Sequence, residues 1–221
     1  MPWLFALRCL VCGERGSAGR DLCAACLAAL PWQGPACRRC ALPMPQAGVC
    51  AACLQHPPPL DEAHAVFDYA FPLDRLLPRL KFHADFAAGR VLPQCMAERC
   101  ASLPRPGAIV PIPLHRARLR QRGYDQALEL ARPLARALRL PLLAGALHRD
   151  KATTAQSRLD AGARQRNLRA AFRVATDTLL PAHVVLVDDV MTTGATLHAA
   201  ANALRKAGVA RVDAWVCARV A

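Results

Sequence analysis

Residues 183–197 read HVVLVDDVMTTGATL. The four apolar residues at 184–187 predict a buried strand that runs directly into two adjacent carboxylates, Asp188 and Asp189. The TTGAT segment that follows predicts a turn leading into a helix over residues 196–207, which Gly208 ends. Ligands of parallel α/β sheets bind at the carboxyl ends of the strands, so we expect a binding site at this point.

The loop after the two acids has the composition of a phosphate-binding turn. Backbone amides at a helix amino terminus bind a phosphate dianion, threonine hydroxyls add donors, and Gly194 lets the backbone approach closely. The loop contains no Lys, unlike the loop of nucleoside-triphosphate-binding proteins. Two carboxylates would repel phosphate alone but accept hydrogen bonds from ribose hydroxyls, so the pattern favours a sugar phosphate. The alternative is that the acids only cap the following helix.

The rest of the chain after residue 60 alternates strand and helix patterns. Strands are predicted at residues 66–70, 108–112, 142–147, 184–188 and 212–220. Helices are predicted between residues 73 and 102, with a bend near Pro93, and at residues 124–138, and a basic loop is predicted at 113–123. This alternation predicts an α/β fold in which helices flank a parallel sheet.

The amino-terminal segment contains eight of the eleven cysteines, arranged as four CxxC pairs. Two CxxC pairs complete one tetrahedral Zn²⁺ site, so the segment predicts two closed, structural zinc sites. Sequential pairing is favoured over an interleaved arrangement, and disulfides or a redox CxxC are the other interpretations. The sequential ligand sets are Cys9, Cys12, Cys23 and Cys26, then Cys37, Cys40, Cys50 and Cys53.

The stretch HPPPL at 56–60 predicts a domain boundary, with a double zinc-ribbon module at 1–56 and the α/β domain at 61–221. Cys95, Cys100 and Cys217 lie outside the CxxC pairs and are expected to be buried as small hydrophobic residues. The apolar runs are too short for a membrane span, and the first residues lack the features of a leader, so we expect a soluble cytoplasmic protein.

The formal net charge of +13 is concentrated in one part of the chain. Arginine supplies 26 of the 29 basic residues, and residues 115–173 hold 13 Arg and one Lys against four acids. This distribution favours binding of phosphate or nucleic acid, with a solvated basic surface as the alternative.

Several segments resemble the ComF family of type I phosphoribosyltransferase-like proteins. VVLVDDVMTTGATL resembles the phosphoribosyl pyrophosphate (PRPP) motif, and the CxxC-rich amino terminus, LKFHAD at 80–85, VPIPLHRARLRQRGYDQALELA at 110–131 and QSRLDAGARQRNLRAAF at 156–172 resemble the rest of the family pattern. The resemblance implies a type I phosphoribosyltransferase-like sheet after a double zinc ribbon. It also implies PRPP with Mg²⁺ as ligand, and a connection to DNA uptake, with single-stranded DNA and other uptake proteins as partners.

The resemblance also assigns roles to individual residues. It places Asp188 and Asp189 on the ribose, and Arg122 and Mg²⁺ at the departing pyrophosphate. The 5′-phosphate would contact Thr192, Thr193, Gly194, Ala195 and Thr196, and the pyrophosphate would contact His115, Arg118 and Arg122. A mobile loop over the ligand would contain Gln156, Arg158, Arg164 and Asn167.

Two positions of the resembling segments need separate comment. Asp125 stands where the family usually has Asn, and a carboxylate there would weaken pyrophosphate binding unless it faces Arg122 or a metal. For Lys81, Phe82 and His83, packing and solvation are favoured over ligand contact.

These features lead to two hypotheses of function. The first is an enzyme that transfers phosphoribosyl from PRPP to an unidentified acceptor. The second is a non-catalytic module that binds single-stranded DNA or senses PRPP with the same fold. Aromatic residues are only 5% of the chain, so the sequence shows no evident platform for stacking bases.

Overall fold

The computed structural model describes residues 7–82, 86–150 and 171–221. Its elements, in chain order, are α1 (Ala24–Ala28), α2 (Ala51–Gln55), β1 (Ala63–Asp68), α3 (Leu73–Phe82), α4 (Phe86–Cys100), β2 (Ala108–Pro111), α5 (Arg116–Arg122), α6 (Gln126–Leu138), β3 (Leu147–Arg149), β4 (Phe172–Val174), β5 (His183–Met191), α7 (Ala195–Lys206) and β6 (Arg211–Arg219).

A four-stranded parallel sheet in the order β1-β6-β5-β2 forms the centre of the fold. Strand β5 pairs with β2 on one side, where Pro111 lies opposite Val187, and with β6 on the other, where Asp188 lies opposite Val216. Because β5 is interior, its apolar residues are buried on both faces, which explains why they form a continuous run instead of alternating with polar residues. The predicted α/β class is confirmed.

Helices cover both faces of the sheet. On one face, α4 and α6 pack against β5 through residues such as Leu92, Leu130 and Val187. On the other face, α7 packs through Leu197 and Leu204 against residues that include Val184 and Leu186. The carboxyl ends of β1, β6 and β5 therefore lie at one edge of the sheet, where α3 and the loop before α7 begin.

Three predicted elements differ from the structure. The segment predicted as a basic loop at 113–123 contains helix α5, because His115 caps its amino terminus and Gly123 ends it in a left-handed conformation with φ 84°. The strand predicted at 142–147 is instead β3, which pairs antiparallel with β4 in a separate two-stranded sheet. The predicted strand at 66–70 begins earlier, as β1.

The cysteine-rich segment packs directly on the edge of the main sheet. The Gln33 amide donates to the Val66 carbonyl at 3.0 Å, and the Asp68 amide donates to the Pro31 carbonyl at 2.8 Å. Trp32 stacks obliquely on Phe67 of β1, with ring centroids 4.7 Å apart. These contacts cover the outer edge of β1, which would otherwise offer unpaired backbone groups.

The same segment shares a hydrophobic core with the sheet domain. Cys9, Leu22 and Leu30 belong to the buried cluster that contains Leu92 and Met96 of α4. The division into residues 1–56 and 61–221 remains a prediction from sequence, and its two parts are not independent in packing. No helix within the described ranges is long and apolar enough to cross a membrane.

Candidate functional site

The eight CxxC cysteines form two separate clusters with sequential pairing. Within each cluster the four sulfur atoms lie within 4.8 Å of one another. The Sγ atoms of Cys12 and Cys23 are 3.7 Å apart, and those of Cys40 and Cys50 are 3.8 Å apart. A tetrahedron with Zn–S bonds of about 2.3 Å has edges of about 3.8 Å, so the geometry fits one Zn²⁺ per cluster. The interleaved pairing is wrong.

Backbone amides stabilise the thiolate form of one cysteine in each cluster. Burial would raise the pKa of the Cys9 thiol, but amides of Cys23 and Cys12 lower it to about 6. The Cys37 thiol is likewise buried, and the Cys50 amide, 3.3 Å from its sulfur, helps to lower its pKa to about 6. Because zinc binds the thiolate, these contacts favour metal binding. Four protein ligands leave no open position for water, so both sites are structural.

The other three cysteines, Cys95, Cys100 and Cys217, are buried, as predicted. Burial is the largest cause of a raised pKa for each thiol, to about 11 for Cys95 and about 12 for Cys100. Neutral buried thiols are poor nucleophiles, so these residues belong to the core.

Asp188 and Asp189 lie inside β5, two residues before its end, at the carboxyl edge of the sheet. An Asp188 oxygen accepts from the Asp189 amide at 2.9 Å, and an Asp189 oxygen accepts from the Val190 amide at 2.9 Å. Burial, the negative charge of Asp189 and a hydrogen bond to its carboxylate raise the pKa of Asp188 well above its usual range. Two carboxylates this close do not both ionise readily without a cation or a hydrogen-bonding ligand.

Lys81 is the cation nearest to this pair. Its ammonium lies 3.2 Å from an Asp189 carboxylate oxygen, and it also opposes the rise of the Asp188 pKa. The end of α3, where Lys81 lies, is held by the Tyr124 hydroxyl, which donates to the Leu80 carbonyl. The sequence did not indicate this contact of Lys81 with Asp189, which arises because the fold brings α3 across the edge of the sheet. His83 lies outside the described residues.

The loop after β5 has the backbone of a phosphate-binding turn. Gly194 is the amino-terminal cap of α7 and has a left-handed conformation, with φ 76°. The left-handed backbone favours glycine, and a Cβ at this position would lie 2.6 Å from Met191 Cε and 2.9 Å from His198 Nε2, so these side chains would have to shift. Thr192 and Thr193 are exposed beside it, and the first amides of α7 have no partner within the helix.

His198 lies beneath this loop on the first turn of α7 and was not identified from sequence. Burial lowers the pKa of its imidazole, so the ring is neutral at physiological pH. Its position under Gly194 was not predictable, because an isolated histidine within a helix pattern carries no spacing signal.

Helix α5 presents two of its arginines inward and two outward. Arg118 and Arg122 are one helical turn apart and partly buried, whereas Arg116 and Arg120 are exposed. Arg122 donates to the buried Gln126 side chain of α6, and the predicted ligand His115 accepts from the Ala117 amide through Nδ1 at 3.2 Å. His115 thus caps the helix through Nδ1. Its Nε2 remains a candidate contact for the predicted pyrophosphate group.

Arg149, at the end of β3, is a second cation that sequence analysis missed. Burial and the neighbouring Arg118 lower the pKa of its guanidinium, and Asp188 and Asp125 oppose that shift. Its guanidinium also lies 5.5 Å from the centroid of the Phe172 ring. The structure therefore places Lys81 near Asp189 and Arg149 near Asp188, and Arg118 is a neighbour of Arg149. The sequence gave no sign that Arg149 lies near Asp188, because it is one arginine among many in a basic part of the chain.

Asp125 faces backbone amides. One carboxylate oxygen accepts from the Leu114 amide at 2.8 Å, and the other accepts from the Leu128 amide at 3.2 Å, which caps α6. Burial raises the pKa of this carboxyl, and the same amides oppose the rise. A carboxylate has two acceptor oxygens for this bridge, whereas an amide side chain has one. Asp125 therefore fixes the β2–α5 loop to α6.

Four residues predicted to lie in a mobile loop, Gln156, Arg158, Arg164 and Asn167, are outside the described residues.

The geometry defines a class of protein in which two four-cysteine zinc sites lie beside a parallel α/β sheet that is flanked by helices. A family model described as a double zinc ribbon domain matches residues 1–54, and one described as a phosphoribosyl transferase domain matches residues 122–221. Both models agree with the class that the fold and the two sites define.

Whole-chain relatives give the particular family. The chain is 36% identical to competence protein F of Haemophilus influenzae, over 97% of this chain and 98% of that protein. It is 38% identical to the DNA utilization protein YhgH of Salmonella typhi over 90% of each chain, and 28% identical to competence protein ComFC of Bacillus subtilis over 80% of this chain and 74% of that protein. The chain belongs to the ComF family of competence protein F and YhgH.

Proposed function

We propose that the chain binds PRPP at the carboxyl edge of the sheet. The observation that carries this proposal is that the paired carboxylates Asp188 and Asp189 are followed directly by a loop in which Gly194 has a left-handed backbone and caps α7. The carboxylates bind the ribose hydroxyls. The 5′-phosphate binds the loop formed by Thr192, Thr193, Gly194, Ala195 and Thr196.

The cations around the acids suit the pyrophosphate group of the same ligand. Arg118 and Arg122 form the inward face of α5, and Arg149 interacts electrostatically with both Arg118 and Asp188. Arginines bind phosphate oxygens with two parallel hydrogen bonds, and burial strengthens those bonds. His115 contributes its Nε2 edge to the same group.

The donor set also fits Mg²⁺, which prefers carboxylate and phosphate oxygens. Asp188 and Asp189 supply the protein oxygens, and a cation beside them would oppose the effect of burial and of the Asp189 charge, which raise the pKa of Asp188. Bound with the ligand, Mg²⁺ would neutralise charge on the pyrophosphate.

In a transfer reaction, an acceptor atom bonds to the anomeric carbon while the bond from that carbon to pyrophosphate breaks, and the acceptor loses a proton. Arg122 and Arg118 then stabilise the charge on the departing pyrophosphate, and Asp188 and Asp189 hold the ribose in place. The acceptor remains to be identified, and a PRPP sensor would use the same binding residues without the transfer.

The test combines calorimetry with an assay for pyrophosphate release. Wild-type protein with Mg²⁺ should bind PRPP, and Asp188→Asn/Asp189→Asn should bind at least tenfold more weakly while melting cooperatively. Asp177→Asn is the matched control, since Asp177 is exposed in the loop before β5. Unchanged affinity in the folded double variant contradicts the ribose assignment. Release that depends on an added nucleobase identifies a transferase, and binding without release identifies a sensor.

We also propose a cytoplasmic role in handling DNA during uptake, in contact with other uptake proteins. The relatives named for competence and DNA utilization support the context, and the unoxidised zinc thiolates require a reducing compartment.

A second candidate function, binding of single-stranded DNA, is favoured by the outward face of α5. Arg116 and Arg120 are exposed there, one helical turn apart, so they are placed to contact a phosphate backbone. If they do, the logarithm of the affinity for an oligonucleotide should fall linearly with the logarithm of salt concentration, and Arg116→Gln/Arg120→Gln should flatten the slope by about 1–2. An affinity independent of salt rejects this function.

A further inference from the structure

The buried guanidinium of Arg219 links one zinc cluster to the start of the phosphate-binding loop. Arg219 is at the end of β6 and is only 8% exposed. Its Nε donates to the Cys40 carbonyl at 2.9 Å, and its Nη1 donates to the Met191 carbonyl at 3.2 Å and to the Val220 carbonyl. A buried charge is costly unless its donors are satisfied, so these carbonyls must hold their positions together.

On the zinc side, Arg219 contacts a CxxC turn that is itself hydrogen-bonded to the sheet. Cys37 and Cys40 are the first CxxC pair of the second cluster. The Arg38 carbonyl accepts from the Ala63 amide at 2.7 Å, and the Ala41 carbonyl accepts from the buried Gln33 side chain at 2.9 Å. Zinc bound by this cluster therefore fixes the backbone that accepts from Arg219.

On the ligand side, Met191 is the last residue of β5 and directly precedes Thr192. Its carbonyl also accepts from the Val220 amide at 3.0 Å. The Met191 side chain is buried beneath the loop, where its Cε lies 2.6 Å from the position that a Cβ on Gly194 would occupy. A displacement of Met191 therefore changes the support of the phosphate-binding turn.

The first zinc cluster has different neighbours. The Leu10 carbonyl, next to Cys9, accepts from Arg79 of α3 at 3.2 Å, and Asp21 forms an ion pair with Arg90 of α4 at 2.7 Å. These contacts lead to helices α3 and α4 on one face of the sheet, and they reach β5 only indirectly, through the ion pair of Lys81 on α3 with Asp189. The two clusters thus provide an internal comparison.

We propose that Arg219 is a positioning residue that couples zinc in the second cluster to the conformation of the loop at 192–196. Zinc held by Cys37, Cys40, Cys50 and Cys53 keeps Cys40 in place, Arg219 transmits that position to Met191, and Met191 supports the loop. The identity of the ligand rests on the PRPP function proposed above, whereas the ordering of the loop does not.

The experiment uses the full chain and two matched double variants. Cys37→Ser/Cys40→Ser removes the first knuckle of the second cluster, and Cys9→Ser/Cys12→Ser removes the corresponding knuckle of the first. Native mass spectrometry counts the zinc ions in each. Hydrogen exchange of the peptide that spans residues 189–198 is measured without ligand, and the affinity for PRPP with Mg²⁺ is measured by calorimetry.

Each double variant should lose one zinc. The second-cluster variant should exchange faster in the loop peptide and bind PRPP about tenfold more weakly, a coupling within the usual range of about 5- to 150-fold. The first-cluster variant should keep wild-type exchange in this peptide and an affinity within about twofold. Equal effects of the two variants on the loop would overturn the coupling.

Arg219→Met tests the role of Arg219 in the coupling while both zinc ions are still bound. It is also the decisive variant if the second-cluster variant unfolds. It should reproduce the faster loop exchange, and Arg219→Lys should restore part of the protection because it keeps the charge and some of the donors. Identical behaviour of the Lys and Met variants would mean that Arg219 only fills space. Failure of wild type to bind PRPP would reject the proposed function, while the exchange data would still test the coupling.

Discussion

At the scale of single residues, the charge of the candidate site is unbalanced. Burial and the neighbouring Asp189 both disfavour ionisation of Asp188, and Lys81 compensates only part of this. A carboxyl with a raised pKa in the folded state holds its proton more tightly than in the unfolded chain. The protein therefore loses stability as pH rises from about 4, the pKa of an unfolded Asp, through the higher pKa of the folded state.

Asp188→Asn should therefore stabilise the ligand-free protein at neutral pH. We expect a gain of about 1 kcal/mol, or a melting temperature about 2–4 °C higher, because the like-charge repulsion is removed. The difference from wild type should shrink as pH falls towards 4, because Asp188 is then protonated in the folded state and becomes protonated in the unfolded chain as well. Calorimetric melting from pH 4 to pH 8 measures this, with Asp177→Asn as the exposed control. A destabilised variant at pH 7.5 would show that the Asp188 carboxylate is favoured in the fold.

At the scale of elements, three strands meet at the amino edge of the sheet around the buried Asp213 of β6. Its carboxylate accepts from the His183 ring at 2.8 Å, from the Glu62 amide at 3.2 Å and from Arg211, whose Nε lies 3.0 Å from one oxygen. His183 begins β5 and Glu62 immediately precedes β1. This network fixes the alignment of the strands at the edge opposite the candidate site, and its members are far apart in sequence.

Asp213→Asn should destabilise the fold by about 2–4 kcal/mol, since an amide nitrogen would face donors from His183 or Arg211 and leave a buried network unsatisfied. Urea unfolding at pH 7 measures the loss. Asp150→Asn is the control, because its ion pair with Arg173 is about half exposed on both sides and should contribute less than about 1 kcal/mol. An equal loss of unfolding free energy in both variants would show that the buried Asp213 network stabilises the fold no more than the exposed ion pair does.

At the scale of the whole molecule, the zinc segment is part of the structural support of the sheet. It covers the edge of β1 through residues 31–33 and shares the core that contains Leu92. A short segment rich in turns has little stability of its own, so metal binding supplies much of its folding free energy.

Removal of zinc should therefore lower the stability of the entire chain. Native mass spectrometry should show two zinc ions per chain, and treatment with a chelator should remove both and lower the melting temperature of the main transition. The control is the same treatment with the chelator already saturated with zinc. One or no zinc in the freshly purified protein, or a main transition unchanged by zinc loss, would contradict this view of the segment.

The sequence by itself determined the features whose chemistry is local. Strand β5, the acid pair, the glycine-capped loop and the CxxC pairs were all identifiable, because a strand–turn–helix segment and a CxxC turn are each formed by residues close together in the chain. The α5 helix was missed because its seven residues, four of them arginine, show no apolar period. The tertiary structure alone brought Lys81 to Asp189, placed Arg149 beside Asp188 and turned Asp125 towards two amides. It also joined Arg219 to Cys40, 179 positions away, because such contacts depend on how helices and strands pack and leave no periodic pattern in the sequence.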